Sequence, residues 1–479
     1  MPRIRYAPFL RAVVAISLYL ALIAVRAAEL PGSVEQALAR AGIPVADTAI
    51  WVQGVDARQP GLAINAQRPM NPASVMKLVT AFAALEHFGP AYSWTTRIST
   101  FGHVEGGILH GDLHLTGGGD PVLSYERLWK LLRRVRALGI EHVRGDIVMD
   151  GSALRLPQHD PFAFDGRGLR PYNSGPHGLL VHFNTLQFFL EPASAAEAPV
   201  GFMSTPPIHG LSIDNRIVTG SGPCGVWHRN LDTSVESTPT GLRLVLLGHL
   251  PASCGPRTWS AAPLSPEQFG AAIVAALWSE VGGTYTGSVR PGTTPADATV
   301  VLTDASPALA EVLREMNKWS SNVIARQLLA TLGATDLASH DMMRSGAAVA
   351  AAQLEAAGID TRGLVIENGS GLSRIERIRA DTLGGLLLTA WRRPFMPEFI
   401  AALPLAGVDG TAHQRLGRSP AQGQAHIKTG TINHVRAMAG YVLDRKGRRH
   451  AVVMMVNHPR AAESQAAQDA LLEWIWAAN

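Results

Sequence analysis

The sequence predicts an α+β fold, a helical part and an antiparallel sheet, interrupted by a long β-rich insertion. Three observations carry this. Residues 75–85 read as part of a helix apolar enough to lie in a core, residues 95–260 are turn-rich with short alternating or apolar runs, and the chain ends in three strand-like runs and a helix. At 479 residues the chain exceeds what one core usually serves, so two or more domains are expected.

At the start, Arg3, Arg5 and Arg11 precede an apolar stretch from Ala12 to Val25, and Val25-Arg26-Ala27 suits cleavage after Ala27. As a helix that stretch would reach about 21 Å, short of the roughly 30 Å hydrocarbon core, which favours a secretory signal peptide over a permanent anchor. No later segment is long enough to span a membrane, so at most peripheral membrane association is expected. Removing residues 1–27 takes away four Arg and no acid, leaving 38 basic against 38 acidic side chains. A neutral surface without a basic stripe offers no footprint for nucleic acid, which excludes that class of partner.

Asn71-Pro72 is a helix-start signal, and from Val75 to Leu85 the only polar side chains are Lys77 and Thr80. Beyond it, Thr96 to Phe101, Asp112 to Thr116, Asp146 to Asp150, Leu186 to Leu190 and Leu242 to Leu247 read as strands. Gly117-Gly118-Gly119-Asp120-Pro121 lacks the Lys-Ser/Thr and the helix start of a phosphate loop and reads as a tight turn. Ser265-Pro266-Glu267-Gln268 supplies a cap, a Pro at the first helical position and a Gln at the third, so a helix begins there and takes in Phe269 to Trp278. Ser306-Pro307 opens another, with Leu309, Val312, Leu313 and Met316 on one face and a break at Asn317-Lys318-Trp319. Ala425 to Gly430, Ala437 to Leu443 and His450 to Val456 read as antiparallel strands, with a turn at Asp444 to Gly447. In the closing helix, from about Ala461 to Trp476, few cations oppose Leu471, Leu472, Ile475 and Trp476, which favours packing on the sheet over lying on a membrane.

Ser74 falls in the first turn of the first helix and Lys77 one turn on, so hydroxyl and amine can touch. Burial of an unpaired ammonium lowers its pKa, and a lysine kept partly neutral can take a proton from a serine hydroxyl. The helix N-terminus and the Ser74 N–H would favour an oxyanion beside it. Alone, these residues equally describe a core helix with a snorkelling lysine. Ser320 sits on a turn between two helices, where its hydroxyl could relay a proton and the Asn322 amide could hold Lys77 or a substrate carbonyl; alone it would be a serine helix cap. Lys428-Thr429-Gly430 lies on a strand, offering a cation and close backbone approach that suit a substrate carboxylate, against the plainer reading of a solvated lysine. The order Ser74-Val75-Met76-Lys77, Ser320-Ser321-Asn322, Lys428-Thr429-Gly430, on helix, loop and strand, makes an acylating serine site the stronger reading.

Cys224 and Cys254 are the only cysteines; an even count in an exported chain favours a disulfide, and two buried thiols are the alternative, because proximity in space is not legible in sequence. There is no C-x-x-C and no H-E-x-x-H, so the 17 histidines give no specific reason to propose a metal.

With the stretches PASVMKLVTAFAALEHFGP, GDLHLTGGGDPVL, RGDIVMDGS, PYNSGPHGL, ENGSGLSR, LPLAGVDGT and HIKTGTINHVRAMAGYV, these motifs make the chain closely resemble the class C low-molecular-mass penicillin-binding proteins, the D-alanyl-D-alanine carboxypeptidase/endopeptidase family of exported bacterial cell-wall enzymes. The resemblance implies a penicillin-recognising serine-transferase fold, a helical part plus a five-stranded antiparallel sheet, with β-rich domains inserted between the first two motifs. The divisions expected are 1–27 signal peptide, 28–95 first part of the catalytic domain, 96–261 inserted β-rich domain or domains, and 262–479 second part of the catalytic domain. It further implies Ser74 as nucleophile, Lys77 as base, Ser320 and Asn322 as proton relay and positioning pair, and Lys428 and Thr429 as carboxylate binders beside Gly430. The backbone N–H of Thr431 would complete the oxyanion hole with that of Ser74. Ser321, Trp319 and His426 depart from the usual surroundings of the motifs, but none removes a reacting group, and His426 is read as structural and outside the site.

The expected activity is attack by Ser74 on the carbonyl between two terminal D-alanines of a peptidoglycan stem peptide, an acyl-enzyme, and its transfer to water in the periplasm, with cross-link endopeptidase activity expected alongside. β-Lactams should acylate the same serine, and no cofactor or metal is required. The rivals are a serine β-lactamase or esterase on the same scaffold and a catalytically silent wall-binding protein. No separate deacylating carboxylate motif is recognisable to support the first, and complete motifs weigh against the second. The carboxypeptidase to endopeptidase balance, the preferred third residue of the stem, the oligomeric state and the role of the insertion are open in the sequence.

Overall fold

Strands Ala425–Ile432, Val435–Leu443, Arg449–Asn457, Thr48–Gly54 and Leu62–Ile64 lie side by side in that order as one antiparallel sheet. The computed structural model describes residues 29–477 except Thr240, so the expected signal peptide lies outside the described residues. Because side chains alternate along a strand, the sheet feeds two cores. Ala49, Trp51, Ala437, Tyr441, Val453 and Met455 join the core shared with helices Lys77–Phe88, Leu309–Trp319, Asn322–Gly333 and Ala380–Trp391. Ile50, Val52, Met438, Val452 and Met454 pack on the other face with Gly32–Arg40 and Gln465–Trp476, whose Leu471, Leu472 and Ile475 are buried there. No helix of the described residues is long and apolar enough to cross a membrane.

The inserted half is built on the hairpin Thr95–Glu105 and Ile108–Gly117, the centre of a seven-stranded sheet, with two three-stranded sheets beside it. Helix Pro266–Glu280 buries Phe269, Ile273, Val274, Leu277 and Trp278 in the inserted core, and Thr299–Ala305 pairs with Thr95 to Thr100. That partner of the first hairpin arrives from beyond the helix, while His142–Val143 and Ile147–Asp150, which precede it, pair with the second hairpin strand, and local pattern carries no trace of such long-range pairing. Cys224 and Cys254 are joined as a disulfide.

Three local expectations need correction. The tract read as mostly β contains helix Tyr125–Ala137, with the Ser124 hydroxyl accepting the Arg127 N–H and Leu128, Leu131, Leu132 and Val135 buried on one stripe. The helix expected to open at Ser306-Pro307 spans Leu309–Trp319, because the Ser306 hydroxyl accepts the Trp94 N–H, leaving Ala308 as the cap with its N–H held by Glu311. That helix runs unbroken through Asn317 and Lys318, and the break falls at Ser320, which is left-handed at φ 59°.

Candidate active site

Ser74 sits in a short 3₁₀ turn, Ala73–Met76, that runs into helix Lys77–Phe88. Asn71 Oδ1 accepts the Ala73 N–H at 2.9 Å, and Asn457 grips Asn71 from the sheet, its Oδ1 accepting the Asn71 N–H at 2.8 Å and its Nδ2 donating to the Asn71 carbonyl at 3.0 Å. Ala73 is held at φ 44°, a conformation that persists only where its surroundings over-determine it. In a 3₁₀ turn, residues i and i+3 eclipse, so the sequence reading of Ser74 and Lys77 on one face holds in a tighter form than an α-turn gives.

Lys77 is fully buried. Its Nζ donates to Ser74 Oγ at 3.1 Å, to Asn322 Oδ1 at 2.7 Å and to the Ser370 carbonyl at 2.5 Å. Burial, then the positive charges of Lys428 and Arg326, hold its pKa well below the ordinary 10.5, while Glu376 pulls the other way. A neutral amine in this place keeps two N–H donors and has a lone pair for the Ser74 hydroxyl.

Ser321, not Ser320, caps the next helix, accepting the Ile324 N–H. That leaves the Ser320 hydroxyl to accept from Lys428 Nζ at 2.9 Å. Lys428 also donates to the Thr429 carbonyl at 2.7 Å; it is fully buried, and burial brings its pKa down to about 7, so the plain reading of a solvated strand lysine fails. The Thr429 and Thr411 hydroxyls lie 2.9 Å apart. A Cβ at Gly430 would stand 2.7 Å from the Pro72 carbonyl and 2.8 Å from the Ser74 nitrogen, so only glycine lets this strand run against the turn that carries Ser74. Ile427 turns its N–H outward to the Pro404 carbonyl, and with a strand period of two the N–H of Thr431 leaves by the same edge.

Ser74, Ser320, Thr411, Thr429, Thr431 and Arg436 line a cleft of about 340 Å³. A larger cavity of about 710 Å³, walled by Leu154, His159, Phe162, His177 and Glu267, holds none of the candidate residues, and size alone is no guide to the chemistry here. Among the described residues the one group with ligand atoms close enough for a metal is His103, Glu105 and His110, on the exposed end of the Thr95–Glu105 and Ile108–Gly117 hairpin and not in the cleft. His426 is half-buried on the Lys428 strand, its Nδ1 unpartnered.

Sequence reasoning missed four contributors. The Ser370 carbonyl, Arg326, Glu376 and Thr411 all reach the centre or its immediate supports, and of these Ser370 and Thr411 lie in ENGSGLSR and LPLAGVDGT, stretches singled out without a role. A backbone carbonyl has no side-chain signature, but the glycine was a signal: Gly371 is at φ 81°, and a Cβ there would fall 1.9 Å from the Ala73 carbonyl.

The family model described as the D-Ala-D-Ala carboxypeptidase 3 (S13) family matches residues 30–478. The chain is 32% identical over 428 residues to a D-alanyl-D-alanine carboxypeptidase of Actinomadura sp. (strain R39), spanning 84% of this chain and 76% of that one. It is 24% identical over 398 residues to the D-alanyl-D-alanine carboxypeptidase DacB of Haemophilus influenzae, spanning 81% and 80%. Among solved structures, penicillin binding protein 4 (dacB) of Haemophilus influenzae superposes with a TM-score of 0.76 at 22% identity, covering 92% of this chain and 99% of that one; the same protein complexed with a novel beta-lactam gives 0.73. At that identity the likeness establishes the fold, the penicillin-recognising α+β arrangement.

Proposed function

The chain belongs to the D-Ala-D-Ala carboxypeptidase 3 (S13) family, and on that footing we propose that it is a serine D-alanyl-D-alanine carboxypeptidase of peptidoglycan stem peptides, acylated at Ser74. The observation that carries this reading is the contact of Ser74 Oγ with a fully buried Lys77 whose other partners are neutral oxygens.

Neutral Lys77 takes the hydroxyl proton as Ser74 Oγ attacks the carbonyl between the two terminal D-alanines. The oxyanion that forms is met by the N–H groups of Ser74 and Thr431, and the approach of Gly430 to the Ser74 turn supports both donors facing one point. Collapse expels D-alanine; its amine takes a proton from Ser320 Oγ, which recovers one from Lys428 Nζ at 2.9 Å. Water then cleaves the ester, its proton passing through Ser320 back to Lys428 while Lys77 returns its proton to Ser74 Oγ. Lys428, while protonated, and the Thr429 hydroxyl hold the terminal carboxylate, and Asn322 orients Lys77. A β-lactam presents a carbonyl and a carboxylate in the same relation, so it acylates the same oxygen. The setting proposed is the periplasm, reached through the N-terminal signal, with cross-link hydrolysis as an accompanying reaction of the same acyl-enzyme.

The test is the intact mass of the purified protein after brief benzylpenicillin exposure, beside Ser74→Ala, with D-alanine release from a synthetic stem pentapeptide followed in parallel. An adduct lost in the variant, together with Ser74-dependent release, is the expected result. Rapid penicillin hydrolysis without a lasting adduct identifies a β-lactamase instead, and neither adduct nor turnover a binding protein with a disabled site.

A further inference from the structure

Glu376 is wholly buried beside the candidate centre and has no part in the steps above. Its Oε1 accepts three successive backbone N–H groups, those of Glu367 at 3.1 Å and of Asn368 and Gly369 at 2.9 Å each. Successive N–H groups converging on one point make an anion site, so the loop is folded around this carboxylate. The Ser373 hydroxyl in turn accepts the Glu376 N–H at 3.0 Å, which fixes where the side chain starts.

The same loop reaches the catalytic lysine. The Gly369 carbonyl accepts the Thr80 hydroxyl at 2.7 Å, and the next carbonyl, of Ser370, accepts Lys77 Nζ at 2.5 Å. Asn368 Oδ1 accepts the Ser370 N–H at 3.0 Å and its hydroxyl at 2.6 Å, so the residue whose carbonyl faces Lys77 is held through both backbone and side chain. Without the loop, Nζ would lose one of its three acceptors in a place that water does not reach.

We propose that Glu376 is a positioning residue for Lys77: by gathering the N–H groups of residues 367–369 it holds the Ser370 carbonyl on Nζ, and it is the acidic group among the charges around that amine. The charges that face Lys77 are Lys428, Arg326 and Glu376, and Glu376 is the one that raises its pKa. Burial outweighs the three N–H groups and, with a smaller push from Glu367, leaves the Glu376 pKa above its ordinary value, its Oε2 being buried without a hydrogen-bond partner. Arg326, brought down to about 10 by burial, is supported by both carboxylates. An amide at position 376 keeps an acceptor for the loop and removes the charge, so it separates the two parts of the role.

The test is the second-order rate constant for acylation by benzylpenicillin as a function of pH, for wild type, Glu376→Gln and Glu376→Ala, with melting temperatures measured alongside. Removing an anion that favours protonated Lys77 lowers the pKa of that lysine, so in Glu376→Gln the acid limb moves to lower pH, by roughly half a unit or more, with the optimum rate within a few fold of wild type. Glu376→Ala, which also frees the loop, loses about tenfold or more at the optimum. An acid limb that stays in place in Glu376→Gln, or rates that fall only in step with melting temperature, overturns the assignment, and Glu376→Gln decides alone if Glu376→Ala does not fold. The inference rests on the reading of Ser74 and Lys77: an adduct that persists in Ser74→Ala fells that reading, whereas a Ser74-dependent adduct with an unmoved limb fells only the role of Glu376.

Discussion

Buried charge is treated in opposite ways at two places in the molecule, one in each half. In the inserted half, Asp150 is buried, yet it accepts the Ser152 N–H at 2.9 Å and the Thr294 N–H at 2.7 Å; burial pushes its pKa up, and these donors outweigh it and leave the carboxyl below its ordinary value. Beside the five-stranded sheet, Lys77 and Lys428 are buried as deeply, but their partners are the neutral oxygens of Ser74, Asn322, Ser370, Ser320 and Thr429, and both pKa values fall. Where a charge only braces strands, the fold stabilises it. Where a proton must move near neutral pH, the fold leaves each ammonium without a direct ion pair, the pull of Glu376 on Lys77 being outweighed by burial, and accepts the loss in stability.

The largest way to break that contrast is to exchange the effects of the two groups. We expect Lys77→Met to lower the rate of penicillin acylation by about 10³-fold, the loss of a general base, without lowering the melting temperature, since an unpaired buried ammonium is replaced by a side chain of similar volume. Asp150→Ala should do the reverse, removing two bonds to backbone N–H groups at about 1–3 kcal/mol for each donor left buried while acylation stays within a few fold. A Lys77→Met protein that acylates normally would end the assignment of Lys77 as base.

Lys428, brought down to about 7, makes the contrast depend on pH. For a substrate bearing a carboxylate, kcat/KM should rise on the acid side as Lys77 loses its proton and fall above about pH 7 as Lys428 loses its own. Lys428→Ala should raise KM for the stem pentapeptide by about 10–100-fold, the worth of one hydrogen bond to a charged group, and abolish the alkaline limb. The same shift bears on stability. A folded pKa below the unfolded one means that, from about 7 up to the ordinary 10.5, the unfolded chain holds more protons, so stability rises with pH across that window. Urea midpoints between pH 7 and 10 should climb in wild type and climb less in Lys428→Met; equal slopes would remove Lys428 as the source.

How far this was legible in the sequence follows the same division. The candidates Ser74, Lys77, Ser320, Asn322 and Lys428, which the fold brings together, were readable because an acylating site needs particular residue types at particular spacings, and a run from Val75 to Leu85 with Lys77 and Thr80 as its only polar positions announced that the lysine would be buried. What escaped was whatever acts through backbone or through distant pairing. Nothing about the residue type of Ser370 says that its carbonyl will face Nζ, and nothing between residues 262 and 305 says that Thr299–Ala305 returns to the first hairpin. Helix Tyr125–Ala137 is different: Ser124 and the 128, 131, 132, 135 stripe were there to be read, and the turn-rich neighbourhood hid them.

The smallest effect on chemistry is expected at the disulfide, and there the independence of the halves can be judged. Leu211–Gly220 and Gly241–Pro251 are parallel neighbours whose last residues, Gly220 and Pro251, are in register, and Cys224 and Cys254 follow just beyond. The bond therefore ties the two exits of one strand pair. Cys254 lies in the inserted core, so its loss is felt there first. Closing a loop of 30 residues is worth roughly 3–4 kcal/mol in the chain-entropy picture, and a double Cys→Ala variant should lose about that much in the transition of the inserted half. The penicillin adduct should form at the wild-type rate, because none of the candidate residues leans on this strand pair. If calorimetry shows the transition lowered while the adduct rate holds, the insertion is a separate stability unit carried by the catalytic half. If the adduct rate falls with it, the contacts of Asn322 and Arg326 with the Tyr172 carbonyl, at 3.4 and 2.9 Å, are the route by which the insertion supports the centre, and Arg326→Ala should then reproduce the loss with the disulfide intact.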